Sequence, residues 1–279
     1  MKNLIYQYWD GNIRPSVRAG VDNMKAYAEK VGAEYLFEEN PNWIKSLGMN
    51  FGNYSAHYGA FKPLWNKKYR DYDNILFCDT DVFAVDSCTD NIFEEFNADI
   101  GICEESFQPK QRTITLGRIT TAQDELWAKT VQEAYGKEVP RTEEGLVKVY
   151  NSGVVIYSAA GAEHARNKWD RFKNYVNLIK RTNLDSFYTC DQPYLHAMIF
   201  VTDMNVQILN NKWNSYIHGT IDKNHDGRYI VDHRTSESCF VHCQFPGADD
   251  MTAEQLNRVV NLSSDKWEYD RFKVVKYEN

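Results

Sequence analysis

The chain has 279 residues, of which 43% are hydrophobic and 25% charged, and its formal net charge is −7. This is an ordinary globular composition with ample sequence for a buried core, and the absence of a Pro/Gly/Ser-rich linker favours a single domain over residues 1–279. The negative charge argues against broad binding to nucleic acids or anionic membranes, and no apolar run approaches the ~18 residues of a membrane span.

The first predicted elements form a strand–helix–strand unit. Residues 4–9 are apolar and aromatic, as in a strand, and residues 10–12 predict a turn. Between residues 16 and 31 the apolar side chains recur every three or four positions, which predicts a helix with one buried face that ends at Gly32. Residues 34–37 predict the second strand. This spacing is typical of a βαβ unit in an α/β fold.

Lys62 lies on the segment before the next strand. Residues 55–65 predict a helix, in which Pro63 either occupies the first turn or causes a kink. In a functional interpretation, Lys62 is a cation that neutralises a diphosphate. The alternative is a surface lysine whose aliphatic stem packs on the core.

A short apolar run then leads into two carboxylates. Residues 75–78 predict a strand buried on both faces, and Asp79-Thr80-Asp81 follows it directly. Side chains two positions apart on extended backbone point the same way, so Asp79 and Asp81 converge where open α/β sheets place their ligands. Two carboxylates this close repel each other unless a cation lies between them, and such oxygens suit Mg²⁺ or Mn²⁺. The alternative is a pair of solvated carboxylates in a turn.

The middle of the chain combines two strands with a long polar insertion. Residues 98–103 and 154–157 predict the strands, and the insertion between residues 104 and 145 contains a predicted helix at 122–135. A polar insertion of this length is more often a functional loop than filler. Asn151-Ser152-Gly153 precedes the second strand, either as part of a site or as a simple turn.

Further candidates lie in the last third of the chain. Asp191-Gln192 opens a short helix, where Asp191 either has a function or caps the helix. His242 ends an apolar strand and is either a hydrogen-bonded core residue or a metal ligand. If His242 joins the two carboxylates, the mixed nitrogen and oxygen ligands favour Mn²⁺ over Mg²⁺. The other predicted elements are a long helix that follows the strand at 154–157 and has apolar positions at Trp169, Phe172, Val176 and Ile179, strands at 206–209, 229–231 and 239–241, and a helical tail from residue 252.

The amino-terminal residues and the cysteines indicate in which cellular compartment the protein is located. No long apolar stretch follows Lys2, so we predict no signal peptide. The six cysteines show no CxxC pairs, which is typical of reduced thiols in a cytoplasmic protein. Cys239 and Cys243 flank His242 closely enough for zinc, but this is the weaker interpretation.

The candidate residues occur in the order found in GT-A glycosyltransferases: Lys62, Asp79-Thr80-Asp81, Asn151-Ser152-Gly153, Asp191-Gln192 and His242. Over about residues 1–245 the chain most resembles the retaining group that includes glycogenin and the bacterial lipopolysaccharide galactosyltransferases. The resemblance implies an α/β fold with one GT-A domain, built on a mostly parallel mixed sheet flanked by helices. It also implies a Rossmann-like nucleotide-binding half (1–103), a donor-sugar and acceptor half (104–250) and a helical tail (251–279).

The resemblance implies roles for these residues. Asp79, Asp81 and His242 are expected to hold Mn²⁺, or alternatively Mg²⁺, against the diphosphate of a nucleotide sugar. Asp191 and Gln192 are expected to act at the anomeric carbon, either by stabilising its positive charge or as a transient nucleophile. The expected donor contacts are Lys62 at the phosphates, Asn151 and Ser152 at the sugar, Thr80 between the metal ligands, and Tyr6, Tyr8 and Trp9 at the base.

The implied reaction is hexose transfer from UDP-glucose or UDP-galactose, with GDP-mannose the next candidate, to a glycan, lipid-linked or protein acceptor. One departure concerns the residues after His242. Glycogenin-like enzymes continue with a Gly and a Lys-Pro-Trp that closes over the phosphates, whereas this chain continues with Cys243-Gln244-Phe245. The closing lysine is absent, so another basic residue has that role or the chain is a divergent branch.

Two other functions compete with this interpretation. A haloacid-dehalogenase-type phosphatase also has Asp-x-Asp after an apolar strand. In that group a Thr or Val normally lies two positions after the second Asp, where this chain has Phe83, and the motif follows the first strand, whereas here it begins at residue 79. A non-catalytic module that binds a sugar nucleotide without turnover is the second alternative.

Overall fold

The computed structural model describes residues 1–110, 119–222, 227–262 and 273–276. Its strands are β1 (Asn3–Trp9), β2 (Glu34–Glu39), β3 (Asn74–Cys78), β4 (Val82–Ala84), β5 (Ile100–Glu104), β6 (Tyr150–Ser158), β7 (Val206–Leu209), β8 (Ser215–Asp222), β9 (Gly227–Asp232), β10 (Phe240–Gln244) and β11 (Lys273–Lys276). Its helices are α1 (Pro15–Val31), α2 (Trp43–Ser46), α3 (Lys62–Trp65), α4 (Ile92–Glu95), α5 (Thr121–Tyr135), α6 (Ala159–Lys168), α7 (Phe172–Ile179), α8 (Asp191–Val201) and α9 (Ala253–Asn261).

The first sheet has the strand order β2-β1-β3-β6-β5-β7. Strand β1 is parallel to β2 and β3, and β5 is parallel to β7, whereas β6 is antiparallel to both of its neighbours. All five residues of β3 are buried, as the continuous apolar run predicted. The predicted mostly parallel mixed sheet flanked by helices is therefore confirmed.

A second sheet, with the order β11-β9-β8-β10-β4, lies beyond the end of β3. Strand β4 pairs antiparallel with β10, and Val82 lies opposite His242. The chain thus leaves the first sheet at Cys78 and enters the second at Val82, so the Asp79-Thr80-Asp81 turn joins the two sheets. Backbone bonds fix this turn from both sides, because Asp79 N donates to Gly153 O and Asp81 O accepts from Cys243 N.

Helix α1 packs directly on this turn. It starts with Pro15 and ends at Gly32, whose φ of 69° is in the left-handed region that favours glycine. A β-carbon at Gly20 would lie 1.9 Å from the carbonyl oxygen of Thr80. Only glycine allows the helix to approach the turn so closely.

Several predicted elements differ from the observed ones. The segment predicted as one helix at 55–65 is a 3₁₀ helix over Ala56–Phe61 followed by α3, with Pro63 in its first turn. The long predicted helix is two helices, α6 and α7, because the backbone is extended at Trp169 and Arg171 between them.

Two further differences concern strands. Asn151-Ser152-Gly153 is part of β6 and not a turn. Among the described residues of the tail, α9 is helical, whereas Lys273–Lys276 pairs in parallel with β9, as suits its two adjacent β-branched valines. Residues 111–118 of the predicted insertion, and residues 263–272 and 277–279 of the tail, lie outside the described residues.

Candidate metal and donor site

The structure brings the three predicted ligands together. Asp79 follows β3, Asp81 precedes β4, and His242 lies on β10. His242 Nε2 is 3.1 Å from Asp81 Oδ1 and 4.0 Å from Asp79 Oδ2, and one ligand atom of each residue lies within 4.8 Å of the others. Side chains from two sheets therefore converge on one point.

The surroundings of His242 fit a divalent cation. Its Nε2 is buried and faces the two carboxylates. A β-carbon at Gly153 would lie 2.4 Å from His242 Cε1 and 2.9 Å from Asp79 Oδ2, so glycine is needed beside the ligands. Two carboxylates and one imidazole are a donor set for a divalent metal ion such as Mn²⁺.

The charges in the cluster favour a bound cation. Burial alone would lower the pKa of His242, but the carboxylates of Asp81 and Asp79 outweigh burial and raise it. Partial burial and the neighbouring Asp81 carboxylate raise the pKa of Asp79 well above its usual value. Without a metal ion the cluster therefore attracts protons, which a divalent cation would replace.

A cleft of about 340 Å³ lies beside the cluster. Tyr8 and Trp9 at the end of β1 line it, together with Thr80, Phe83 and Leu256. The Tyr8 hydroxyl donates to the carbonyl oxygen of Ala56, and the ring lies so close to Gly59 that a β-carbon there would be 2.5 Å from it. The cleft wall thus offers aromatic surface next to the acid pair.

Asp191 lies at the amino terminus of α8 and is buried. Its Oδ1 is 3.7 Å from His57 Nδ1, and the Ser152 hydroxyl donates to the same carboxylate. Burial raises the pKa of Asp191, although His57, Ser152 and backbone N–H groups oppose this. Its charge also contributes to the raised pKa of Asp79.

His57 lines the cleft, and the sequence did not identify it. Its only local signal was a polar ring within an aromatic segment, and nothing in that segment indicates that Asp191 lies beside it. Among the described residues that line the cleft, His57 is the only one with a basic side chain.

Three other predicted residues are not among the described residues that line the cleft. Gln192 lines a separate cavity of about 20 Å³ next to Trp127 and Tyr188. Asn151 is 2% exposed, and its side-chain amide forms hydrogen bonds with Glu105 and with the backbone N–H of Gly153. The Tyr6 hydroxyl donates a hydrogen bond to Glu38. The roles of Gln192, Asn151 and Tyr6 in donor binding or catalysis stay predictions.

Lys62 forms an ion pair away from the cleft lining. Its Nζ lies 2.6 Å from Glu38 Oε2, and its side chain is 14% exposed. The hydroxyls of Tyr6 and Tyr69 donate to the same carboxylate at 2.8 and 3.0 Å. The phosphate contact stays a prediction, but the ammonium group has a carboxylate partner here.

We expect Lys62→Met to lower stability by about 1–3 kcal/mol, because a largely buried carboxylate loses its charged partner. Burial raises the pKa of Glu38, but the bonds from Lys62, Tyr6 and Tyr69 prevail and lower it. A lowered carboxyl pKa stabilises the fold above the unfolded-state pKa, and this stability is lost as pH falls through the folded-state pKa. The variant should therefore lose less stability on acidification than the wild type, as measured by urea unfolding at neutral and acidic pH.

Lys68→Met is the matched control, since Lys68 Nζ lies 4.0 Å from Glu38 and its side chain is 59% exposed. This change should have little effect. Weaker donor binding by Lys62→Met with unchanged stability would instead support the phosphate contact.

Sequence comparisons find nothing: no protein-family model matches the chain, and no curated protein matches it significantly. No helix in the described ranges has the length and apolar character needed to cross a membrane.

Solved structures do resemble it. A glycosyltransferase involved in glycosylation of the major capsid of PBCV-1 is 11% identical, with a TM-score of 0.50 over 93% of this chain and 98% of that chain. The galactosyltransferase LgtC, in complex with donor and acceptor sugar analogues, is 14% identical, with a TM-score of 0.51 over 95% and 98% of the two chains. At these identities the likeness establishes the fold, and activity has to be argued from the site. The chain has the fold of the GT-A glycosyltransferases.

Proposed function

We propose that this protein is a Mn²⁺-dependent glycosyltransferase that transfers a hexose from a nucleotide-diphosphate sugar, with retention at the anomeric carbon. The observation that carries the proposal is the convergence of Asp79, Asp81 and His242 beside a cleft with aromatic walls. UDP-glucose and UDP-galactose are the proposed donors. Mg²⁺ is the alternative metal.

The proposed chemistry assigns separate tasks to the cleft residues. A metal ion held by the three ligands would act as a Lewis acid on the diphosphate and stabilise the charge that develops on the leaving group. His57, on the same cleft wall, is the proposed substitute for the closing lysine that this chain lacks. Tyr8 and Trp9 line the same cleft and are the proposed contacts to the base.

Asp191 is the proposed residue at the anomeric carbon, with Gln192 beside it in sequence. Its carboxylate lies 3.7 Å from His57 of the cleft and is fixed by Ser152 and by the start of α8. A carboxylate so oriented stabilises positive charge at the anomeric carbon or attacks it as a nucleophile. The first route retains the configuration of the sugar when the acceptor attacks the face from which the diphosphate departs. In the second route the carboxylate displaces the diphosphate and the acceptor hydroxyl then displaces the carboxylate, so two inversions give retention.

The acceptor is proposed to bind near the polar insertion. Described residues of this insertion, among them Phe107, Lys110 and Glu144, line a shallow cavity of about 350 Å³. Glycan, lipid-linked and protein acceptors all remain within the proposal. We also propose a cytoplasmic location, since all six cysteines are free and buried.

The test is a thermal-shift screen of UDP-glucose, UDP-galactose, GDP-mannose and free nucleotides, each with and without Mn²⁺. A ligand that binds only the native state at 100 times its Kd stabilises it by about 2.7 kcal/mol. We expect a higher Tm only when Mn²⁺ and a nucleotide are present together. No shift with any nucleotide in Mn²⁺ would overturn the proposal.

Turnover separates the two alternatives from a transferase. Release of phosphate from simple phosphomonoesters, without cleavage of any nucleotide sugar, would favour the phosphatase. Mn²⁺-dependent binding without hydrolysis or transfer, even with acceptor glycans present, would favour the binding module. Slow release of hexose from the donor by water would support the transferase before its acceptor is known.

A further inference from the structure

Behind the metal cluster lies a group of polar side chains that are almost fully enclosed. Glu105, Asn151, Asn214 and Tyr216 are each at most 4% exposed. Burial of polar groups costs free energy unless every donor and acceptor is paired, so such a network has to be satisfied throughout. It ends at His242, whose Nδ1 lies 3.1 Å from Asn214 Oδ1.

The backbone fixes the orientation of the first amide. The N–H of Gly153 lies 2.7 Å from the side chain of Asn151, and a backbone N–H only donates, so the facing atom is the amide oxygen, Oδ1. The other end of this amide is therefore the NH₂ group. It donates to Glu105 Oε1 at 2.6 Å, as an ionised carboxylate requires.

The second amide follows from the first. The atom of Asn214 that lies 3.0 Å from Asn151 Oδ1 has to be a donor, so it is Nδ2. Its second hydrogen is directed to the Tyr216 hydroxyl at 2.9 Å, and that hydroxyl bonds to Glu105. Rotation of the Asn214 amide would break both bonds, so its oxygen is held toward His242.

We propose that Glu105, Asn151, Tyr216 and Asn214 are positioning residues that hold His242 with a proton on Nδ1 and direct the lone pair of Nε2 toward Asp79 and Asp81. Asn214 Oδ1 only accepts, so Nδ1 has to donate. In the neutral ring this leaves Nε2 as the unprotonated atom, which is the one a metal ion binds. The inference deepens the proposed metal-dependent function and rests on it.

The network also explains the burial of Asn151. Each of its amide atoms bonds to the protein, and its neighbour Gly153 lies against the His242 ring. Asn151 therefore acts on the metal ligand through Asn214. The ring of Tyr216 stacks on His242 with a centroid distance of 5.7 Å, so Tyr216 restrains the ring plane as well.

The main test compares two substitutions of Asn214. Asn214→Leu removes the acceptor for Nδ1, and loss of such a partner weakens metal binding by about 10–100-fold. Asn214→Asp keeps an acceptor at the same position, so its Mn²⁺ affinity should stay within about 5-fold of wild type, in line with carboxylate partners of metal-binding histidines. Mn²⁺ binding is measured by electron paramagnetic resonance, without nucleotide or sugar.

Asn74→Leu is the matched control. Asn74 is a buried amide at the other end of β3, where its Nδ2 donates to Asn3 Oδ1 at 2.9 Å. Urea unfolding in EDTA gives the stability of each variant. We expect stability losses in all three variants but a large loss of Mn²⁺ affinity only in Asn214→Leu. Equal affinity losses for Asn214→Leu and Asn214→Asp, or none for either, would overturn the positioning role.

A milder variant and a spectroscopic measurement keep the test decisive if Asn214→Leu fails to fold. Tyr216→Phe removes only the hydroxyl and should weaken Mn²⁺ binding by about 2–10-fold. Nitrogen-15 NMR of labelled His242 in the metal-free protein at alkaline pH should show the proton on Nδ1. A proton on Nε2 would overturn the inference. A wild-type protein that binds no Mn²⁺ but shows the Nδ1 proton would instead overturn the proposed function alone.

Discussion

Asp79→Asn should abolish Mn²⁺-dependent nucleotide binding and lower turnover by at least about 10²–10³-fold, a loss typical of removing one electrostatic contact to a transition state. The amide keeps the size of the side chain but removes the charge that, with Asp81 and His242, holds the cation. The measurements are Mn²⁺ titration and hydrolysis of the nucleotide sugar.

The same substitution should not harm the metal-free fold. The pKa of Asp79 is raised in the folded protein by partial burial and by Asp81, so its ionised form opposes folding at neutral pH. In EDTA the variant should therefore melt at the wild-type temperature or above it. Asp86→Asn, at an exposed position further along the same segment, should change neither property. Full Mn²⁺-dependent activity in Asp79→Asn would exclude this residue as a ligand.

Gly153→Ala should remove metal binding by a steric route. The new methyl group would lie 2.4 Å from His242 Cε1, 2.8 Å from Asn151 Oδ1 and 2.9 Å from Asp79 Oδ2. All three neighbours belong to the metal cluster or to the network behind it, so none can move without changing the site. Overpacking of this kind typically costs about 1–3 kcal/mol of stability. We expect that cost together with a loss of Mn²⁺ binding.

Gly101→Ala provides the matched control in the neighbouring strand β5. A β-carbon there would lie 2.6 Å from Ile156 Cγ2 and 3.0 Å from Leu209 Cδ2, which are apolar atoms that the metal cluster does not include. Urea unfolding should show similar destabilisation in both variants, whereas isothermal titration with Mn²⁺ should show a binding defect only in Gly153→Ala. Normal Mn²⁺ binding by a folded Gly153→Ala protein would mean that the cluster tolerates displacement of its ligands.

Local sequence patterns predicted the elements whose burial is continuous or periodic along the chain. The apolar run of β3 and the regular apolar face of α1 are of this kind, and both were predicted within one or two residues. The order of polar residues then predicted that Asp79, Asp81 and His242 meet. It could do so only through the resemblance to GT-A glycosyltransferases, because the residues alone left the role of His242 open.

Features that depend on distant partners were not predicted. Strand β4 has only three residues and exists because it pairs with β10. The start of β6 looked like a turn because Asn151 is polar, and its partners Glu105 and Asn214 are distant in sequence. Lys62 likewise showed no sign that its carboxylate partner, Glu38, would come from β2.

The turn between β3 and β4 has a consequence for how the protein unfolds. Asp79 extends a strand of one sheet and His242 belongs to the other, so an ion bound to both would cross-link them. Local opening of one sheet would then have to break coordination bonds, which couples the two sheets into one cooperative unit. Backbone amides of β4 and β10 should accordingly exchange their hydrogens with solvent more slowly in the ion-loaded protein than in the free one.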